Sequence, residues 1–173
     1  MLIKALVVTF LLYLLYQDIR YRSIYWICFP VLLFLMIILG FQEIKVFDII
    51  QNSIFNAGFL LIQLLLLTLY FSIKQGRLVN ITDGLIGWGD VLFLFSISCY
   101  LSPINYIAFY MLSLLVILSI IIICAASKKE NLKIPLAGLQ ALLLVVFLVV
   151  DWTNTRINIH SDNWLLTLLN LWA

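Results

Sequence analysis

Long apolar runs separated by short polar stretches set the pattern of this chain. Leu2–Tyr16, Ile24–Gly40, Ile54–Ile73, Val91–Leu101, Ile104–Ala126 and Ile134–Val150 are almost continuously apolar. A hydrocarbon core about 30 Å thick takes roughly 20 residues of helix to cross, and several of these runs approach that length. Because the runs are continuous and do not alternate, they argue against a β-barrel. The pattern predicts an all-α, polytopic integral membrane bundle of about six transmembrane helices, built as a single domain over residues 1–173. The fourth run is short, and its helix reaches back toward Leu85 if it includes the preceding glycines. The closing stretch "NWLLTLLNLWA" is weakly amphipathic, and its tryptophans suit a membrane interface. In the first run Lys4 precedes an apolar stretch, as in a signal peptide, but Tyr16, Gln17 and Asp18 stand where a small-x-small cleavage site would be. It is expected to stay as a membrane anchor.

Composition strengthens this picture. The chain is 65% hydrophobic and 10% charged, with a mean hydropathy of +1.18. An ordinary soluble domain is about half apolar and a quarter charged. Cys28, Cys99 and Cys124 are widely spaced, with no CxxC pair, so they are expected as free thiols packed like small hydrophobes. Charge placement then gives a direction. Arg20 and Arg22, Lys74 and Arg77, and Lys128, Lys129 and Lys133 follow the first, third and fifth runs. Lys4, Lys45 and Arg156 fall on the other side. The positive-inside rule then puts the odd-numbered loops in the cytoplasm and the N-terminus outside.

That topology brings two acids to one level. Asp18 ends the first run and Asp90 opens the fourth, both on the expected cytoplasmic side. Glu43, Asp48, Asp151 and Asp162 belong to the opposite loops. A carboxylate inside a membrane segment costs several kcal/mol and usually faces a polar partner or a water-filled cavity. Two that converge share a proton, because a close pair does not readily hold two negative charges. The ionised member then takes a proton from water and the protonated one donates to a carbonyl, which is aspartic-protease chemistry without metal or cofactor. Gly87 and Gly89 flank Trp88 just before Asp90 and allow a substrate backbone close approach. A plain small-residue helix contact is the bland alternative for this segment.

The stretches "GWGD" at Gly87–Asp90 and "QDIRYRSIYW" at Gln17–Trp26 resemble the two aspartate segments of the type IV prepilin peptidases, a family of GxGD-type membrane aspartyl proteases. "KIPLAGLQALLLV", from Lys133, takes the place of that family's P-F-G-P segment. The resemblance implies cleavage of a short basic leader from a pilin-like precursor at the cytoplasmic membrane edge. Asp18 and Asp90 would be catalytic, and Gly87 and Gly89 would contact substrate. It implies no metal, no cofactor and no nucleic acid; the partners would be the precursor and membrane lipids, and the setting a bacterial or archaeal inner membrane. The chain departs from the family pattern in several places. Tyr25 and Trp26 follow Ile24 in place of Pro-Asn, Leu92 replaces a lysine, and only Pro135 clearly remains of P-F-G-P. The paired CxxC insertion linked to methylation is missing, so the resemblance covers a peptidase without the methyltransferase part.

Two other classes compete. One is an inactive relative or assembly protein that binds pilin-like helices. The other is a small transporter or channel component, which would need more polar mid-span residues than Gln63 and Gln140; these are expected as interhelical hydrogen-bonding groups. Asp83 rivals Asp90 but sits in a turn-like "TDG". His160, the single histidine, is expected to be solvated in the polar stretch "TNTRINIHSDN", and Trp152, Trp164 and Trp172 to be interface anchors. Arg20, Arg22, Lys128 and Lys129 are expected to fix topology, with anionic lipid as a further contact for the lysine pair.

Overall fold

The computed structural model describes residues 1–76, 87–126, 136–153, 158–162, 164 and 167. Asp83, Lys128, Lys129, Pro135 and Trp172 lie outside the described residues. Among the described residues the chain forms six helices and no strand: α1 Leu2–Tyr21, α2 Cys28–Glu43, α3 Val46–Gln75, α4 Trp88–Ile97, α5 Pro103–Ala126 and α6 Leu136–Thr153. Four of them, α1, α3, α5 and α6, are long and apolar enough to cross a membrane. The other two are shorter, with 16 residues in α2 and 10 in α4. At 1.5 Å per residue α4 rises only about 15 Å, whereas α3 runs to about 45 Å.

Helices α1, α2, α3 and α6 bury a narrow stripe and turn much of the rest outward. On α1 the stripe is Val7, Leu11, Leu14 and Asp18; on α2 it is Phe29, Leu32, Met36 and Leu39; on α6 it is Ala137, Ala141, Leu144 and Leu148. These spacings of three and four bring side chains onto one helix face. The outward faces carry Phe34, Ile54, Leu61, Ile62, Leu65 and Leu66, all more than half exposed. Buried positions, by contrast, include Asn52, Asn56, Ser96, Asn105 and Gln140. An apolar outside around polar buried groups is what a lipid-facing bundle requires.

Helix α1 packs chiefly against α6, and α2 packs against α4 and α1. Gly138, in the first turn of α6, lies against Leu15 and Asp18 and permits the close approach to α1. Polar side chains add hydrogen bonds between helices. Ser96 Oγ on α4 donates to the carbonyl of Phe29 on α2 at 3.0 Å. Gln63 Nε2 on α3 donates to the Tyr110 hydroxyl on α5, the interhelical role expected for that glutamine. Cys28 and Cys99 are free and buried, as expected.

The short fourth helix has its cause in a contact from α3. The backbone turns at 98–102, and Asn56 Nδ2 donates to the carbonyls of Ser98 and Leu101, both at 2.8 Å. Carbonyls left without helical partners are thereby satisfied inside the bundle. Pro103 then opens α5 in the first-turn position where its missing N–H does no harm. Asp162 Oδ1 accepts the Ile104 N–H at 3.2 Å and the Ser102 hydroxyl at 2.6 Å, capping α5 from a distant segment.

Candidate functional site

Helix α1 ends where Arg22 enters the left-handed region, φ 53°, and its N–H returns to the Asp18 carbonyl at 2.9 Å. This stop is an αL-type C-cap. The helix extends beyond Tyr16, so Asp18 is not in a following loop. It continues the buried stripe of α1, with only 7% of its surface exposed. What it meets there is the first turn of α6. Asp18 Oδ2 accepts the backbone N–H of Gly138 at 2.6 Å, one of the donors that a helix N-terminus leaves without an internal partner.

Asp90 occupies the matching place on α4. Gly87 is the N-cap of that helix and Asp90 lies three residues on. The Asp90 carboxylate folds back and accepts the Gly87 N–H, the returning half of a capping box. This explains the first glycine: a Cβ at Gly87 would stand 3.0 Å from Asp90 Oδ2. Gly89 is less constrained, since a Cβ there would meet Phe29 at 3.6 Å and Ala137 at 4.0 Å, ordinary contacts.

The two acids, 72 positions apart in sequence, line one cavity of about 530 Å³ together with Gly87, Trp88 and Gly89. They are close enough to interact electrostatically. The first turn of α6 lies beside both, with Gly138 against Asp18 and Ala137 facing Gly89. Arg22, Trp26 and Phe29 complete one wall of the cavity, and Leu92 occupies the lining where the resembling family carries a lysine. A second cavity, of about 250 Å³, reaches Asp90 from between α3 and α5 and is lined by Gln63, Tyr110 and Gln140 among apolar side chains.

Gly138 is a further residue of the site, set against Asp18. A Cβ there would stand 3.0 Å from Asp18 Cβ and 3.1 Å from Oδ2. The available signal was the small pair Ala137–Gly138 at the mouth of the last apolar run, which reads as a degenerate motif until Asp18 is seen against it.

The opposite end of the bundle corrects one expectation. His160 is not solvated: its side chain is 13% exposed. Its Nδ1 lies 3.1 Å from the Tyr100 carbonyl, its Nε2 lies 3.1 Å from Glu43 Oε2, and its ring stands edge-on to Tyr100. The polar look of the segment concealed Ile159, which is fully buried and draws His160 inward. Lys4 pairs with the other Glu43 oxygen, and its Nζ lies 4.8 Å from the centre of the Trp152 ring.

Compared with protein-family models, with curated proteins and with solved structures, the chain gives no match.

Proposed function

We propose that this protein is a membrane aspartyl endopeptidase that cleaves the short basic leader of pilin-like precursors, in the manner of the type IV prepilin peptidases. The observation that carries the reading is the convergence of Asp18 and Asp90 on one cavity, each presented by the end of an apolar helix. In this reading all six helices are embedded in a bacterial or archaeal inner membrane. The N-terminus is outside and the Asp18–Asp90 end faces the cytoplasm, as the distribution of lysine and arginine favours. The precursor's hydrophobic helix stays in lipid while its leader junction enters the cavity beside Gly87 and Gly89.

The chemistry follows from the pair. With one proton shared between them, the ionised carboxylate takes a proton from water as that water attacks the scissile carbonyl. The protonated carboxyl gives its proton to the carbonyl oxygen, producing the tetrahedral intermediate. Collapse then protonates the leaving amine, and the pair returns to its starting state. The N–H groups of Gly138 and Gly87 hold the two carboxylates in position without supplying any reacting atom.

A second reading is favoured by those same two hydrogen bonds: a non-enzymatic relative in which both acids serve as helix caps and the cavity binds a pilin-like helix. The test is leader release from a pilin-like precursor by purified protein in detergent, read on a gel for wild type, Asp18→Asn and Asp90→Asn. Cleavage by wild type alone is expected, and a chelator should leave it intact. Cleavage surviving both substitutions removes the protease reading. Binding of precursors without cleavage by wild type establishes the second.

A further inference from the structure

We infer that Glu43, Asp151 and His160 form a binding site for a divalent transition-metal ion of the Zn²⁺ type at the end of the bundle away from Asp18 and Asp90. The ligand atoms of the three residues all lie within 4.8 Å of one another. They come from the C-terminal end of α2, the C-terminal end of α6 and the segment that follows it. The site stands apart from the proposed peptidase chemistry: Lys4, which pairs with Glu43, lies 14 residues from Asp18 along α1, about 21 Å of helix.

Three details point to a ligand set and not to a chance meeting of charges. The first is the histidine tautomer. A carbonyl only accepts, so the contact with Tyr100 puts an N–H on Nδ1 and turns Nε2 toward the Glu43 carboxylate. Metal-bound histidines are oriented by this same kind of second hydrogen bond. The second is spacing. His160 Nε2 and Glu43 Oε2 are 3.1 Å apart, against roughly 3.3 Å between neighbouring ligands of a tetrahedral zinc ion. Asp151 lies within 4.8 Å of both and draws in to close the set at bond lengths near 2 Å.

The third is the support around each ligand. Asp151 Oδ1 accepts the Ile159 N–H at 3.0 Å, which leaves its other oxygen for an ion. Lys4 holds Glu43 through Oε1, not through the oxygen facing His160, and the Tyr100 hydroxyl steadies Oε2. The His160 segment is itself docked, since Ser102 N–H donates to the Ile159 carbonyl at 3.0 Å and Asn105 Nδ2 to the Ser161 carbonyl at 3.1 Å. Two carboxylates and one imidazole leave the fourth position of a tetrahedral set for water.

The test uses the full chain in detergent, free of affinity tag and stripped with a chelator, titrated with Zn²⁺ by calorimetry and with Co²⁺ by visible absorption. One equivalent of Zn²⁺ per chain is expected, together with a Co²⁺ spectrum and a higher melting temperature. His160→Ala should weaken binding about tenfold or more and remove the thermal shift, while Asp48→Asn, outside the cluster, should bind like wild type. Should His160→Ala not fold, Glu43→Gln and Asp151→Asn serve as the variants, each with the same loss expected. No saturable uptake by wild type, or uptake unchanged in folded variants, overturns the site and leaves an ion-pair cluster only. Neither result depends on whether the protein cleaves a precursor.

Discussion

The carboxylate of Asp18 holds the backbone N–H of Gly138, 120 positions further along the chain, at 2.6 Å. This one contact joins the end of α1 to the start of α6 and makes the acid a helix cap as well as a candidate catalyst. The two roles are separable by substitution.

Asp18→Asn keeps a side-chain oxygen for Gly138 and removes only the ionisable group. Asp18→Ala removes both. Loss of a cap costs about 1 kcal/mol, so a thermal melt in detergent should show Asp18→Ala clearly less stable than wild type and Asp18→Asn close to it. Leader cleavage should be lost in both. Equal stability of the two variants would mean that the Gly138 hydrogen bond contributes nothing to the fold.

Gly138→Ala should damage stability and activity together. The new methyl would meet Asp18 at 3.0–3.1 Å, so α1 and α6 have to separate or the carboxylate has to swing away. Overpacking of this kind costs about 1–3 kcal/mol. Gly58→Ala is the matched control, because nothing lies within 4 Å of its Cβ position in the middle of α3. It should be neutral or gain up to about 1 kcal/mol in helix propensity. Melting temperatures of the pair, measured side by side, check this.

Asn56→Ala should be among the most destabilising single changes outside the cavity. The side chain is 1% exposed and serves two carbonyls. Removing it strands both in apolar surroundings at about 1–3 kcal/mol each. Loosening of the 98–102 turn should appear as faster amide hydrogen exchange at Ser98 to Ser102.

Sidedness is open to thiol labelling in right-side-out vesicles. In a background freed of native cysteines, Asn158→Cys should react with an impermeant maleimide from outside, and Ser23→Cys only after the membrane is permeabilised. The opposite pattern would reverse the orientation assigned from basic residues.

The helical class and the long apolar segments were legible because lipid demands continuous runs, and such runs are visible in any window of the sequence. Helix ends were less so. The extension of α1 past Tyr16 to Tyr21 depends on Asp18 finding Gly138, and the brevity of α4 depends on Asn56 reaching across from α3. Both are contacts between residues distant in sequence. Asp18, Asp90 and Gly87 could be singled out because acids and glycines are conspicuous in apolar surroundings. The polar neighbours of His160 give no sign of its setting, because the buried isoleucine beside it decides that setting.

Helix α4 has a consequence for the membrane itself. At about 15 Å it matches half of a 30 Å slab, with Trp88 and Phe95 turned outward along its length. Hydrophobic mismatch is relieved by local thinning around short segments. If α4 lies in the bilayer as proposed, acyl-chain length should set how deep Asp90 rides, with short-chain lipids leaving it at the water boundary and long-chain lipids drawing it beneath.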